Sequence, residues 1–159
     1  MARSNGSAEE TRDRLADVLP TLVAVYGAAA AALAADWYED MRDQAGVRGR
    51  FRAIPAELPG REQTDILARW GTGPLFQPQP DRTAAAALVG GALLRHIANA
   101  DRQTITQSAT DDRAAIGWVR IVSGSDPCDF CLGLAGELYD TPDFGTHDHC
   151  LCVASPEFG

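Results

Sequence analysis

The stretch PCDFC at residues 127–131, answered by HDHCLC at residues 147–152, holds all four cysteines of the chain and two of its three histidines. A Cys-x-x-Cys turn brings two sulfurs to one side, and a zinc ion wants four such donors in a tetrahedron, at about 2.3 Å from each sulfur. Cys128 and Cys131 supply one half. The other half must come from His147, His149, Cys150 and Cys152, which offer more donors than four positions need. Cys150 and Cys152 are two apart and point the same way if the segment is extended; His147 and Cys150, three apart, serve instead if it turns. Four-cysteine and three-cysteine-one-histidine ligation both stay open. The candidate set is Cys128, Cys131, His147, Cys150 and Cys152, with His149 ranked below it. Packed thiols and disulfides are the competing readings, but with no export signal four cysteines point to reduced thiols available to a metal.

These clusters decide the reading of the fold, because the short segment that carries them cannot bury a large core of its own. A metal or crosslink would replace the missing core. Just upstream, GWVRIV at residues 117–122 alternates and is rich in β-branched and aromatic residues, which predicts a strand, and SGSDP then turns the chain into the first cysteine pair. Residues 137–139 read as a second short strand and 141–149 as loop.

The front of the chain is helical in pattern. Residues 1–7 read as a flexible start, and Ser7 with Glu10 fits a capping box. Leu15, Val18, Leu19, Leu22, Val23, Tyr26, Leu33, Trp37, Tyr38 and Met41 recur at helical spacing, with Pro20 expected to kink or divide the helix. The alanine run at residues 28–35 predicts a seam along which a second helix approaches closely. Proline- and glycine-rich connectors are expected at 45–60 and 71–80, on either side of a short helix at 61–70. Asp81 then caps a second long helix running to about Ser108, in which Gly90 and Gly91 mark a kink or a close crossing. His96 stands alone on that helix and reads as a packed or surface residue. The expected fold is α+β: a mainly helical N-terminal arm over residues 1–110 and a small C-terminal α/β knob over 111–159, bearing a zinc-knuckle-like Cys/His motif.

The net charge of −8, from 22 acids against 14 bases, excludes a chain-wide attraction to nucleic acid or anionic membrane. Every base is arginine, which fits a GC-rich coding genome. Any contact with DNA must be local, and Arg48, Arg50 and Arg52, flanking Phe51, are its candidates. Short arginine clusters also pair with a chain's own carboxylates. No uninterrupted run of 18 apolar residues is seen and residues 1–14 are polar and acidic, so a soluble, unexported chain with no membrane partner is expected.

Three enzymatic readings fail on the letters. Nucleobase deaminases place Pro-Cys-x-x-Cys after an upstream His-x-Glu; here the upstream histidine is His96, followed by Ile97 and Ala98, and the proton-moving glutamate is missing. A thioredoxin-like pair belongs at the start of a helix after the first strand of a βαβ unit, not behind a long helical region. Cys150 beside His147 or His149 has no glycine-rich oxyanion segment to serve it. No catalytic residue and no small-molecule substrate is expected.

The order of residues suggests a family. Residues 117–158 resemble the C-terminal segment of the phage Mu F-like minor head proteins, particularly the forms of tailed phages and prophages of actinobacteria: a strand, Cys128 and Cys131, Gly136 and Tyr139, then His147 before Cys150 and Cys152, and a closing Pro156. Asp36, Trp37, Tyr38 and the following arginine look like the region that precedes this segment. Leu151 departs from the arginine usual between the last two cysteines, and many relatives carry further domains after the closing proline, whose functions are not carried over. The resemblance implies a minor capsid protein near the portal vertex inside the head, made in the bacterial cytoplasm, with the portal and other capsid proteins as partners and packaged DNA within reach. It implies a role in head assembly, DNA packaging or ejection, with structural zinc. A small zinc-dependent enzyme and a free-standing regulatory zinc module binding DNA or protein are the alternatives; against the regulator, no arginine follows Pro127.

Overall fold

A computed structural model describes residues 6–124, 127–147 and 149–159; residues 1–5 of the expected flexible start, Ser125 and Asp126 of the expected turn, and Asp148 of the expected loop lie outside them. The chain runs α1 (Ala8–Gln44), α2 (Arg61–Gly71), a 3-10 turn (Gly73–Phe76), α3 (Arg82–Asp111), β1 (Ala115–Ile121), α4 (Asp129–Gly133), β2 (Leu138–Tyr139) and β3 (Val153–Phe158). The α+β expectation holds: long helices come first and a small sheet follows.

Local chemistry starts the helices where the sequence says it should. The Ser7 hydroxyl accepts from the Glu10 amide at 3.1 Å, and the Glu10 carboxylate accepts from the Ser7 amide at 3.2 Å. This reciprocal capping box satisfies two amide donors that the first turn of α1 cannot. Asp81 caps α3 by accepting from the Ala84 amide at 2.9 Å. Pro20 does not divide α1, which continues through it. Proline removes one hydrogen bond there, but Leu19 and Val23 are each 1% exposed beside it, and burial of that face holds the helix together.

The inner face of α1 runs Leu19, Val23, Gly27, Ala31, Ala34, Ala35, Tyr38 and Arg42. Its small residues let α3 pack along it, as the alanine run predicts. Its outer face leaves Val18, Val25, Tyr26 and Leu33 exposed. Against the expectation of no membrane-crossing stretch, α1 is long and apolar enough to cross a bilayer by length and composition, with a window of mean hydropathy 1.9. Core helices of soluble proteins pass the same test, and 33% of that window is buried inside this fold.

The sheet has the order β2-β1-β3, with both pairings antiparallel. β3 escapes sequence reading because Pro156 sits inside it, and proline is tolerated only where a strand lies at a sheet edge. In register, Trp118 faces Pro156 and Arg120 faces Ala154. By strand alternation Cys152, Ala154 and Pro156 share the inner face with Trp118 and Arg120. Gly117, at φ 143°, precedes them where β2 crosses: a Cβ there would collide with the Tyr139 carbonyl.

One apolar cluster joins Ala34, Ala35 and Tyr38 of α1 and Ile105 and Ala109 of α3 to Trp118, Phe144, Cys131, Cys150, Cys152 and Ala154. It runs across the boundary at 110/111. A second cluster, of Leu19, Leu67, Ala68 and Ala92, lies wholly among the helices.

Candidate metal centre

Three segments deliver the donors. Cys128 is the N-cap of α4, where its sulfur accepts from the Cys131 amide at 3.5 Å, so the Cys-x-x-Cys turn is closed by its own first thiol. Cys152 immediately precedes β3 and continues its inner face. The loop at 141–147, which carries His147, has no regular structure and is fastened by others: the Trp118 indole donates to the Thr141 carbonyl at 2.6 Å and the Thr106 hydroxyl to the Pro142 carbonyl at 2.8 Å. Phe144 stacks on Trp118 at 5.3 Å between ring centres. Arg120 donates to the carbonyls of Phe144 and Gly145.

The sulfur of Cys128 lies 3.2 Å, and that of Cys131 3.4 Å, from His147 Nε2. Cys131 Sγ lies 3.7 Å from Cys150 Sγ. Two donor triads result, Cys128–Cys131–His147 and Cys131–Cys150–Cys152, the atoms of each within 4.8 Å of one another. Cys131 belongs to both. The segment turns, with the Cys150 amide donating to the His147 carbonyl at 3.3 Å, yet His147 and Cys150, the pair expected of a turn, fall in different triads, while Cys150 and Cys152 share one.

These separations fit a metal. A tetrahedron with sulfurs about 2.3 Å from its centre has sulfur–sulfur edges near 3.8 Å, and mixed sulfur–nitrogen edges slightly shorter. Disulfides do not describe the site, since all four cysteines are free and a disulfide bond is about 2.05 Å long. The five residues can hold a thiophilic metal ion. His149 is outside both triads; its backbone is left-handed at φ 61°, and its ring packs against Gly91 of α3. His96 belongs to neither triad.

Burial and polarity set the thiols apart. Cys131, at 2% exposure, is pushed up in pKa by burial and by its hydrogen bonds to the other cysteines. Cys152 is moved down: burial opposes this, but hydrogen bonds from Cys131, the Ser123 backbone and Cys150, together with the nearby Arg120 guanidinium, outweigh it. Two buried arginines surround this half of the site. Arg102 of α3 donates from Nε to the Cys152 carbonyl at 2.8 Å and from a terminal nitrogen to the Cys150 carbonyl at 2.6 Å. Burial lowers its pKa, while Cys150, Asp101 and Cys152 act against that. The guanidinium of Arg120 lies 3.8 Å above the Phe144 ring, and its Nε and one terminal nitrogen have no hydrogen-bond partner. Sequence reading missed both arginines; the available signal was Arg120 two residues from Trp118 in an alternating strand.

The arginine cluster separates into different roles. Arg52 Nε lies 3.7 Å from Glu39, and the Glu39 carboxylate also accepts from the Ala53 amide at 3.2 Å. Arg48 and Arg50 are exposed and line one shallow depression with Arg113.

No curated protein and no solved structure matches the chain. The family model described as VG15 protein matches residues 1–159, and the chain belongs to that family of phage proteins.

Proposed function

We propose that this phage protein is a minor capsid protein of the Mu F-like type, placed inside the head near the portal vertex and acting in head assembly, DNA packaging or ejection. The observation that carries the reading is the order Cys128, Cys131, Gly136, Tyr139, His147, Cys150, Cys152 and Pro156 within a chain whose whole length matches a phage family. Its partners are the portal and other capsid proteins. Arg48 and Arg50 are the residues offered to packaged DNA. The Cys/His centre holds zinc in a structural, non-catalytic role: the two triads that share Cys131 offer five candidate donors, more than the four positions of a closed tetrahedral site need. Its role is to fasten the 141–152 segment onto the core.

Purified particles test the assignment. Quantitative mass spectrometry of virions should find the protein at a few copies per head, cross-linked to portal subunits, and particles made without the gene should be defective in head assembly or DNA content. A protein absent from purified virions and heads would overturn it. For the metal, the purified full chain should contain one zinc per molecule.

A further inference from the structure

Arg102 and Arg120 are 1% and 2% exposed, yet neither makes an ion pair with a carboxylate among the described residues. The carboxylate whose charge reaches Arg102 is that of Asp101, its neighbour in sequence. An uncompensated buried cation is costly, so two beside one another call for negative charge nearby. The cysteine cluster is where that charge would arise. Three thiolates and an imidazole around a divalent cation leave one net negative charge, and four thiolates leave two.

The hydrogen bonds divide the labour. Arg102 spans the carbonyls of Cys150 and Cys152, on either side of Leu151, and its remaining terminal nitrogen is held by Asn99 Oδ1 at 3.1 Å. A planar fork braced at three points sets the direction of both cysteines. Arg120 reaches the loop at 144–145 through one nitrogen; its register opposite Ala154 sets it two residues from Cys152, and its two other nitrogens have no hydrogen-bond partner among the described residues. We propose that these arginines are the cationic shell of the metal centre, Arg102 orienting the Cys150–Cys152 pair and Arg120 offsetting the negative charge of the thiolates. The inference rests on the metal reading above and names the residues that tune that site.

Outer-sphere partners of metal ligands change affinity by about 10–100-fold when removed. Zinc affinity is measured on the full chain by competition with a chromophoric chelator, and cobalt uptake by its thiolate charge-transfer band. Arg120→Gln keeps donors for the Phe144 and Gly145 carbonyls but loses the charge; it should weaken zinc binding about 10–100-fold. Arg120→Lys keeps the charge and should stay within a few-fold of wild type. Arg102→Lys keeps charge but not the fork, and should lose affinity together with part of the cobalt–thiolate band. Melting of metal-free and zinc-loaded forms separates a general packing defect, which lowers both equally, from the expected loss confined to the zinc-loaded form. Wild-type affinity in Arg120→Gln and Arg102→Lys, or equal destabilisation of both forms, would overturn the proposal and leave the metal site standing. A wild-type chain that takes up neither zinc nor cobalt would remove the metal reading itself, and this proposal with it.

Discussion

Arg42 Nε lies 2.7 Å from Asp112 Oδ2, with the two side chains 7% and 5% exposed. The pair ties the last turn of α1 to the residue that ends α3. Asp112 also accepts from the Tyr38 hydroxyl at 3.4 Å and, through its other oxygen, from the Ala114 amide at 3.0 Å. Arg42 reaches the Gly49 carbonyl at 2.7 Å. One buried carboxylate thus locks α1, the first connector and the entry to β1. Removing one member leaves the other charge uncompensated, at a cost of about 3–5 kcal/mol. Asp112→Ala should lower stability by that amount in urea unfolding, and Arg42→Met with Asp112→Leu by clearly less than the sum of the two single changes.

Tyr38 gives the protein an alkaline limit. Burial, then the charge and hydrogen bond of Asp112, push its phenol well above the ordinary value of 10.0. The folded form therefore holds the proton that the unfolded chain releases. Stability from this source is complete below the unfolded pKa, near pH 10, and is lost as pH rises from there toward the higher folded pKa. Wild type should lose stability steeply above about pH 10, and Tyr38→Phe less steeply, measured by urea midpoints across pH 8–11.

Cys131 and Cys128 should not be equivalent, although sequence spacing treats them alike. Cys131 is buried and common to both donor triads, whereas Cys128 is exposed and belongs to one. Cys131→Ser should abolish stoichiometric zinc and lower the melting temperature more than Cys128→Ser does. Because Cys131 also lies in the cluster shared with Tyr38 and Ile105, its loss should loosen the α1–α3 contact too. Metal analysis and hydrogen exchange along α1 check this; equal effects of the two serines would contradict the shared-donor geometry.

Much of this architecture was legible because it is set locally. Ser7, Glu10 and Asp81 announce helix starts through hydrogen bonds made within one turn, and the alternation around Trp118 announces β1. The candidate donors were legible because few residue types bind metals and all the cysteines fall in two clusters. What was hidden depends on distant packing. Pro20 should break α1 by local rules, but burial of Leu19 and Val23 overrides them. β3 carries a proline and is defined by its pairing with β1. Arg102 gains meaning from carbonyls some 50 positions away, which no spacing rule connects.

Gly91 provides the last test, because it joins α3 to the loop between the ligands. A Cβ added there would lie 2.5 Å from Nε2 of His149, closer than real side chains approach. On an open helical surface, replacing glycine by alanine adds about 0.5–1 kcal/mol of stability. At Gly91 the new methyl must displace the His149 ring, which sits one residue before Cys150 on a left-handed backbone. His149 is exposed and its ring can swing aside, so moving it offsets part of that increment, and Gly91→Ala should stabilise the fold by clearly less than about 0.5–1 kcal/mol. In a His149→Ala background the obstruction is gone, and the same substitution should stabilise the fold by the ordinary helical increment. Urea unfolding of the four proteins reads the difference directly: an equal stabilising effect in both backgrounds would show that His149 does not pack on α3.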